Sequence, residues 1–159
     1  MKNALLHLAF RLYEGRGRIT RPVTFGVRIM LVRDGQVILV RHTYMDSWFF
    51  PGGSVKWGET LAEAASREAR EEVGAYLHSE PKLAGVYLVE PGHKSDHLAL
   101  FVSDDFTLGQ ASDSWEIDYW SYFPMDALPY EQWRGNAARV REYLAGEFAQ
   151  GPPVAIKRW

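Results

Sequence analysis

The sequence predicts an α/β protein, a sandwich of helices on both sides of a mixed β-sheet, and two observations carry that prediction. Runs of apolar and β-branched residues recur as strand-like segments at Val23 to Arg33, Gln36 to His42, Leu83 to Glu90, His97 to Asp104 and Trp115 to Phe123. Stretches with helical spacing stand before, inside and after that series. With 159 residues and 47% hydrophobic content, a single domain spanning 1–159 is expected, with enough material for a core. A helix and basic linker would fill 1–20 and a short tail 150–159.

In order along the chain, Asn3 caps an expected helix running to about Glu14, with Leu5, Leu8, Ala9 and Leu12 as its apolar stripe. That helix packs on its own domain, makes a dimer contact or lies on a membrane surface. Arg11, Arg16, Arg18 and Arg21 make the following segment basic, either as a solvated linker or as an attraction for anionic substrate. Asp34-Gly35 between the first two strands is a two-residue hairpin signal. Trp48-Phe49-Phe50 reads as a short apolar strand before Pro51-Gly52-Gly53.

Thr60 followed by Glu63 is a capping box that starts a helix, and Gly74 supplies the left-handed residue that ends it. At 100° per residue, Ala62, Ala65, Ala69 and Val73 form one narrow stripe that permits close packing. Glu68, Glu71 and Glu72 fall in a neighbouring arc, while Arg67 and Arg70 are expected to point to the other side. Like charges on one face repel, and a hard divalent cation with oxygen ligands relieves that repulsion. The bare backbone of Pro51-Gly52-Gly53 would bring carbonyls beside the same face. A solvated, charge-laced helix is the competing reading.

Gly53, Glu59, Arg67-Glu68, Glu71-Glu72 and Gly74 match every fixed position of the pattern G-x5-E-x7-R-E-U-x-E-E-x-G-U, with Ala69 and Ala75 at its apolar positions. By this stretch the chain resembles the Nudix hydrolases. A large aliphatic is more usual where Ala75 stands. The resemblance implies the Nudix-type α/β/α sandwich and hydrolysis of a nucleoside diphosphate linked to another moiety, with Mg²⁺ as cofactor and Mn²⁺ as a substitute. It implies Glu71 and Glu72 as metal ligands, Glu68 as ligand or general base, the Gly53 carbonyl as a further ligand, and Arg67 pairing with Glu59 or another carboxylate to hold the geometry. Glu116 stands where relatives carry a further acidic residue, as metal ligand or base, with Asp113 and Asp118 as competitors for the role.

Arg41 closes the second strand and is a candidate phosphate contact or an ordinary strand-end charge. Trp48 is a candidate for stacking on a base or ribose, against a role in the core. Trp57 lies just before the helix, where a surface aromatic serves a ligand, a partner or nothing. Pro91 follows Ala75 by sixteen residues, at the spacing seen in Nudix enzymes acting on ADP-ribose, and prolines are also common in turns. ADP-ribose or a nucleotide sugar is therefore the favoured substrate class. A nucleoside triphosphate, ordinary or oxidised, is the alternative, and a non-catalytic nucleotide-binding module stands in a different class.

The chain has no cysteine, which excludes disulfides and thiolate metal sites and suits a reducing cytoplasm. His7 and Arg11 interrupt the apolar start, so a signal peptide is not expected, and no run approaches the ~20 apolar residues of a membrane span. A soluble protein with a small-molecule nucleotide substrate is expected, with no membrane partner. A formal charge of −2 and the lack of an aromatic-basic groove argue against a nucleic-acid partner. A homodimer is possible through the first helix or Trp57. Pro124 to Pro129 reads as a turn, and Glu131 to Ala149 as a last helix packed on the sheet.

Overall fold

The computed structural model describes residues 23–89, 95–111, 116–148 and 156–158. The expected N-terminal helix and Pro91 lie outside them. Strand β1 (Val23–Arg33) and β2 (Gln36–His42) form the predicted hairpin with the predicted bounds. Asp34 and Gly35 take φ of 49° and 74°, the left-handed pair whose twist matches the flanking strands.

The main sheet is mixed. β1 runs parallel to β6 (Ser95–Ser103), β6 antiparallel to β5 (Lys82–Val89), and β5 parallel to β9 (Ile156–Arg158). On the other side, β2 pairs antiparallel with β3 (Trp48–Phe49) and with β8 (Ile117–Pro124). Strand β9 falls within the stretch read as a tail, and three residues carry no alternation to announce it. The same holds for β4 (Ala75–Leu77) and β7 (Phe106–Leu108), which pair in a small separate sheet. Asp104 to Ser114, read as a polar loop, thus contains a strand.

The junction of β1 and β2 positions the site. Only Val32↔Val37 and Arg33↔Gln36 pair between them, next to the turn. Beyond that point the two strands splay. The vacated edge of β1 is taken by the loop after β3: Ile29 N–H donates to Pro51 O at 2.8 Å and Val27 N–H to Gly53 O at 2.9 Å.

Helix α1 (Leu61–Val73) has both hydrogen bonds of its capping box, Glu63 N–H to Thr60 Oγ1 at 3.2 Å and Thr60 N–H to Glu63 Oε2 at 2.8 Å. Gly74 ends it at φ 69°. Ala64, Ala65, Ala69 and Val73 are buried against Val27, Ile29, Leu31, Ile38 and Val40, with Ala62 partly buried beside them. On the opposite face Met30, Val32, Val37, Leu39, Phe50, Tyr87 and Leu100 pack with Val140 of helix α2 (Asn136–Leu144). Each large side chain fully buried in these layers contributes about 1.5–3 kcal/mol.

Helix α2 is shorter than Glu131 to Ala149. Its cap, Gly135, sits at φ 92°, and the preceding residues bond elsewhere. Trp48 N–H donates to Glu131 O at 2.9 Å, and Trp133 N–H donates to Trp48 O at 2.8 Å. A segment serving as edge partner to β3 is not free to coil. Among the described residues no helix is long and apolar enough to cross a membrane.

Candidate active site

The last two turns of α1 and the loop in the splay between β1 and β2 meet at the carboxylates. Arg67 is central: it pairs with Glu59 as the resemblance implies, while the helical-angle expectation that it points to the other side of the helix is wrong. Its Nε and Nη2 grip Glu59 at 2.6 and 3.0 Å, Nη2 also donates to Ser54 O at 3.0 Å, and Nη1 donates to Glu68 Oε1 at 2.7 Å and Glu71 Oε2 at 3.0 Å. A helical side chain leans toward the N-terminus of its helix, and that tilt takes the long guanidinium back to Glu59 in the preceding loop. The i, i+4 spacing brings in Glu71. These bonds hold the Glu59 carboxyl down to about 2 and raise the Arg67 guanidinium further.

Glu72 is more deeply set than its place in the neighbouring arc implies. It belongs to the buried stripe, 6% exposed, and its Oε2 accepts the Gly52 N–H at 2.9 Å. Burial pushes its carboxyl up to about 8 against the pull of Arg28 and of that amide. Glu68 is also raised, by burial first, with Arg67 opposing.

Three further residues join this cluster through their charges. Arg28 on β1 donates from Nη1 to Gly52 O at 2.5 Å and Phe50 O at 3.2 Å, and its guanidinium lies 5.4 Å from the centre of the Phe49 ring. Glu72 and Glu68 both act on it. Tyr44, in the loop after β2, is pushed up to about 12 by burial and then by Glu116. Glu116 accepts Thr43 N–H on its backbone carbonyl at 2.9 Å, and its charge also raises Glu72. The charge of Glu116 thus reaches Tyr44 and Glu72. Its competitor Asp118 is engaged elsewhere, and Asp113 lies outside the described residues. Arg28 and Tyr44 are not singled out by sequence reasoning. A lone charge between Val27 and Ile29 is the one signal for Arg28, and Tyr44 has none.

Arg41 and Trp48 fall apart from the carboxylates. Arg41 pairs with Asp118 at 2.8 Å and lies 5.6 Å from the Trp48 ring. Trp48 packs edge-on against Phe123 at 4.7 Å, on the layer that faces α2 rather than α1. Trp57 is fully exposed in the turn before α1, beside Gly58 at φ 83°.

No three acidic or imidazole groups among the described residues converge to hold an ion as they stand. The chemistry of the donors nevertheless suits a hard divalent cation: three carboxylates on one helix, beside a loop of bare backbone. A Cβ on Gly53 would lie 2.7 Å from Glu68 Oε1, so the carboxylate rests in the space a side chain would fill. The Gly53 carbonyl already accepts the Val27 N–H, which leaves it one lone pair to offer.

A family model described as the NUDIX domain matches residues 20–144, most of the chain. The chain belongs to the Nudix family. Among Nudix relatives, YjhB of Bacillus subtilis, whose name assigns it provisionally to the ADP-ribose pyrophosphatases, is 31% identical over 110 residues, covering 65% of this chain and 51% of that protein. The chain spans about half the length of the curated relatives it matches. A solved Nudix hydrolase from Nitrosomonas europaea superposes with a TM-score of 0.68 over 79% of this chain and 90% of that one, at 20% identity. A crystal structure titled as an ADP compounds hydrolase superposes with a TM-score of 0.61 over 77% of this chain and 74% of that one, at 28% identity. The Nudix fold is shared with both.

Proposed function

We propose that this protein hydrolyses a pyrophosphate bond in a nucleoside diphosphate linked to a second moiety, with ADP-ribose or a nucleotide sugar as the favoured class. The observation that carries the reading is that Glu68, Glu71 and Glu72 stand on one helix, the first two ordered by Arg67 and the third by the Gly52 amide. The names of YjhB and of the ADP compounds hydrolase favour the adenosine diphosphate class.

Glu71 and Glu72, with Glu68 and the remaining lone pair of Gly53 O, would hold a divalent cation, Mg²⁺ or Mn²⁺. When bound, such an ion neutralises phosphate charge and lowers the pKa of its water. The rest is positioning, which dominates phosphoryl transfer. Arg67 bridges Glu68 and Glu71 and ties both to the loop through Glu59 and Ser54. Glu72 is kept in place by its bond to Gly52, whose carbonyl accepts from Arg28. Glu68 or Glu116 takes the proton of the attacking water: each is a carboxylate within electrostatic reach of Glu72.

The test is a panel of ADP-ribose, nucleotide sugars, NADH, ordinary and oxidised nucleoside triphosphates and dinucleoside polyphosphates, assayed with Mg²⁺ and resolved by chromatography. Cleavage of ADP-ribose to AMP and ribose phosphate supports the reading. Release of pyrophosphate from a triphosphate in preference to it overturns the substrate class. Metal binding without any turnover points to the non-catalytic module.

A further inference from the structure

A single arginine on β1 reaches the carboxylate cluster through the loop. Arg28 stands between Val27 and Ile29, both fully buried, and its Nη1 is shared by the carbonyls of Gly52 and Phe50. The same Gly52 donates its N–H to Glu72 at 2.9 Å. Gly52 has no room for a side chain. At φ 149° a Cβ there would collide with Val27 O and lie 2.8 Å from Arg28 Cα. The residue is caught between the β1 backbone, the Arg28 guanidinium and the Glu72 carboxylate.

A lysine in place of Arg28 would keep the charge but lose the rigid, planar guanidinium that sets one nitrogen against both carbonyls. Partners that orient a ligand from behind matter nearly as much as the ligand, with losses of about 10- to 100-fold on removal.

We propose that Arg28 is a positioning residue of this site: by holding the Phe50 and Gly52 carbonyls it fixes the Gly52 amide against Glu72 and so sets the orientation of that carboxylate. The proposal rests on reading Glu72 as an ion ligand in a pyrophosphohydrolase. A merely structural arginine would affect the unfolding temperature and leave the folded site unchanged.

The experiment compares the full chain with Arg28→Gln and Arg28→Lys by three readouts. In the metal-free protein, hydrogen exchange at the Gly52 amide is expected to accelerate about tenfold or more in Arg28→Gln, as its bond to Glu72 loosens. Calorimetric Mn²⁺ affinity is expected to weaken about 10- to 100-fold. On whichever panel substrate the wild type cleaves, kcat is expected to fall in proportion while KM stays within about twofold. Arg28→Lys should recover part of each loss. In a Glu72→Gln background, Arg28→Gln should change Mn²⁺ affinity little, because the residue acts through Glu72. Wild-type exchange and Mn²⁺ affinity in a folded Arg28→Gln overturn the proposal, as does an undiminished effect in the Glu72→Gln background. If Arg28→Gln does not fold, the same measurements are made on Arg28→Lys, where wild-type exchange and Mn²⁺ affinity overturn the proposal equally. A wild type silent on the panel would count against the hydrolase reading, while the exchange and Mn²⁺ results still decide the role of Arg28.

Discussion

Arg67 holds Glu59 with a bidentate fork, at 2.6 Å from Nε and 3.0 Å from Nη2, and with its third nitrogen bridges Glu68 and Glu71. Arg67→Lys retains one positive charge but not the fork, so it cannot serve three carboxylates in a plane. Turnover is expected to fall about 10- to 100-fold, with a higher Mg²⁺ requirement. A magnesium titration of initial rates checks this. Unchanged half-saturation would remove Arg67 from the ordering of the site.

Two adjacent glycines should respond differently to alanine. In Gly53→Ala the new methyl meets the flexible end of Glu68, 2.7 Å away, so the carboxylate moves and the fold survives. Activity is expected to drop more than tenfold with about 1 kcal/mol or less of lost stability. In Gly52→Ala the methyl meets backbone at Val27 and a strained φ together, and a loss of about 3–4 kcal/mol is expected. Paired melting curves and rates distinguish the two. Equal destabilisation would contradict the geometry.

The small stripe of α1 sets how close the carboxylates lie to the sheet. Ala65 is fully buried among Val27, Ile29 and their neighbours. Ala65→Leu is expected to cost about 1–3 kcal/mol by overpacking. Because Glu68 and Glu72 ride on the same helix, kcat should fall even where the protein is fully folded. A melting curve together with kcat measured well below the transition tests both halves.

His42 predicts an acid limb. Burial, and then Arg28, hold its imidazole down to about 4, where an unfolded histidine titrates near 6.5. Between those values the unfolded chain binds the proton and the folded one does not. Its contribution is therefore complete above about pH 6.5 and is lost as pH falls toward 4, at most about 3 kcal/mol. His42→Phe should flatten that limb of the stability–pH profile. A limb as steep as in the wild type would assign it to other groups.

Much of the fold is legible where the chain repeats a period. The β1–β2 hairpin lies within the bounds set by its alternation and by Asp34-Gly35, and α1 within those set by Thr60, Glu63 and Gly74. What escapes is short or non-local. β4, β7 and β9 have three residues each, too few for a period to show. The extent of α2 is hidden because the bonds between Glu131–Trp133 and Trp48 are made across the fold. In the site, helical angles place Cβ atoms but not the ends of long side chains, which is why they put Arg67 on the wrong side. Arg28 acquires its meaning only when the loop from Phe50 to Gly53 docks on β1.

The two pairs joining β1 to β2 make the sheet resemble tongs gripped at one end, with Phe50–Gly53 wedged between the arms. Val27 lies five residues from the grip at Val32, a lever of about 17 Å at the ~3.3 Å rise of a strand. A tilt of three or four degrees at the hairpin would thus displace the Gly53 end by roughly 1 Å, enough to cost about a hundredfold in rate. The turn at Asp34–Gly35, at the gripped end and not at the carboxylates of α1, is in this sense the fine adjustment of the site.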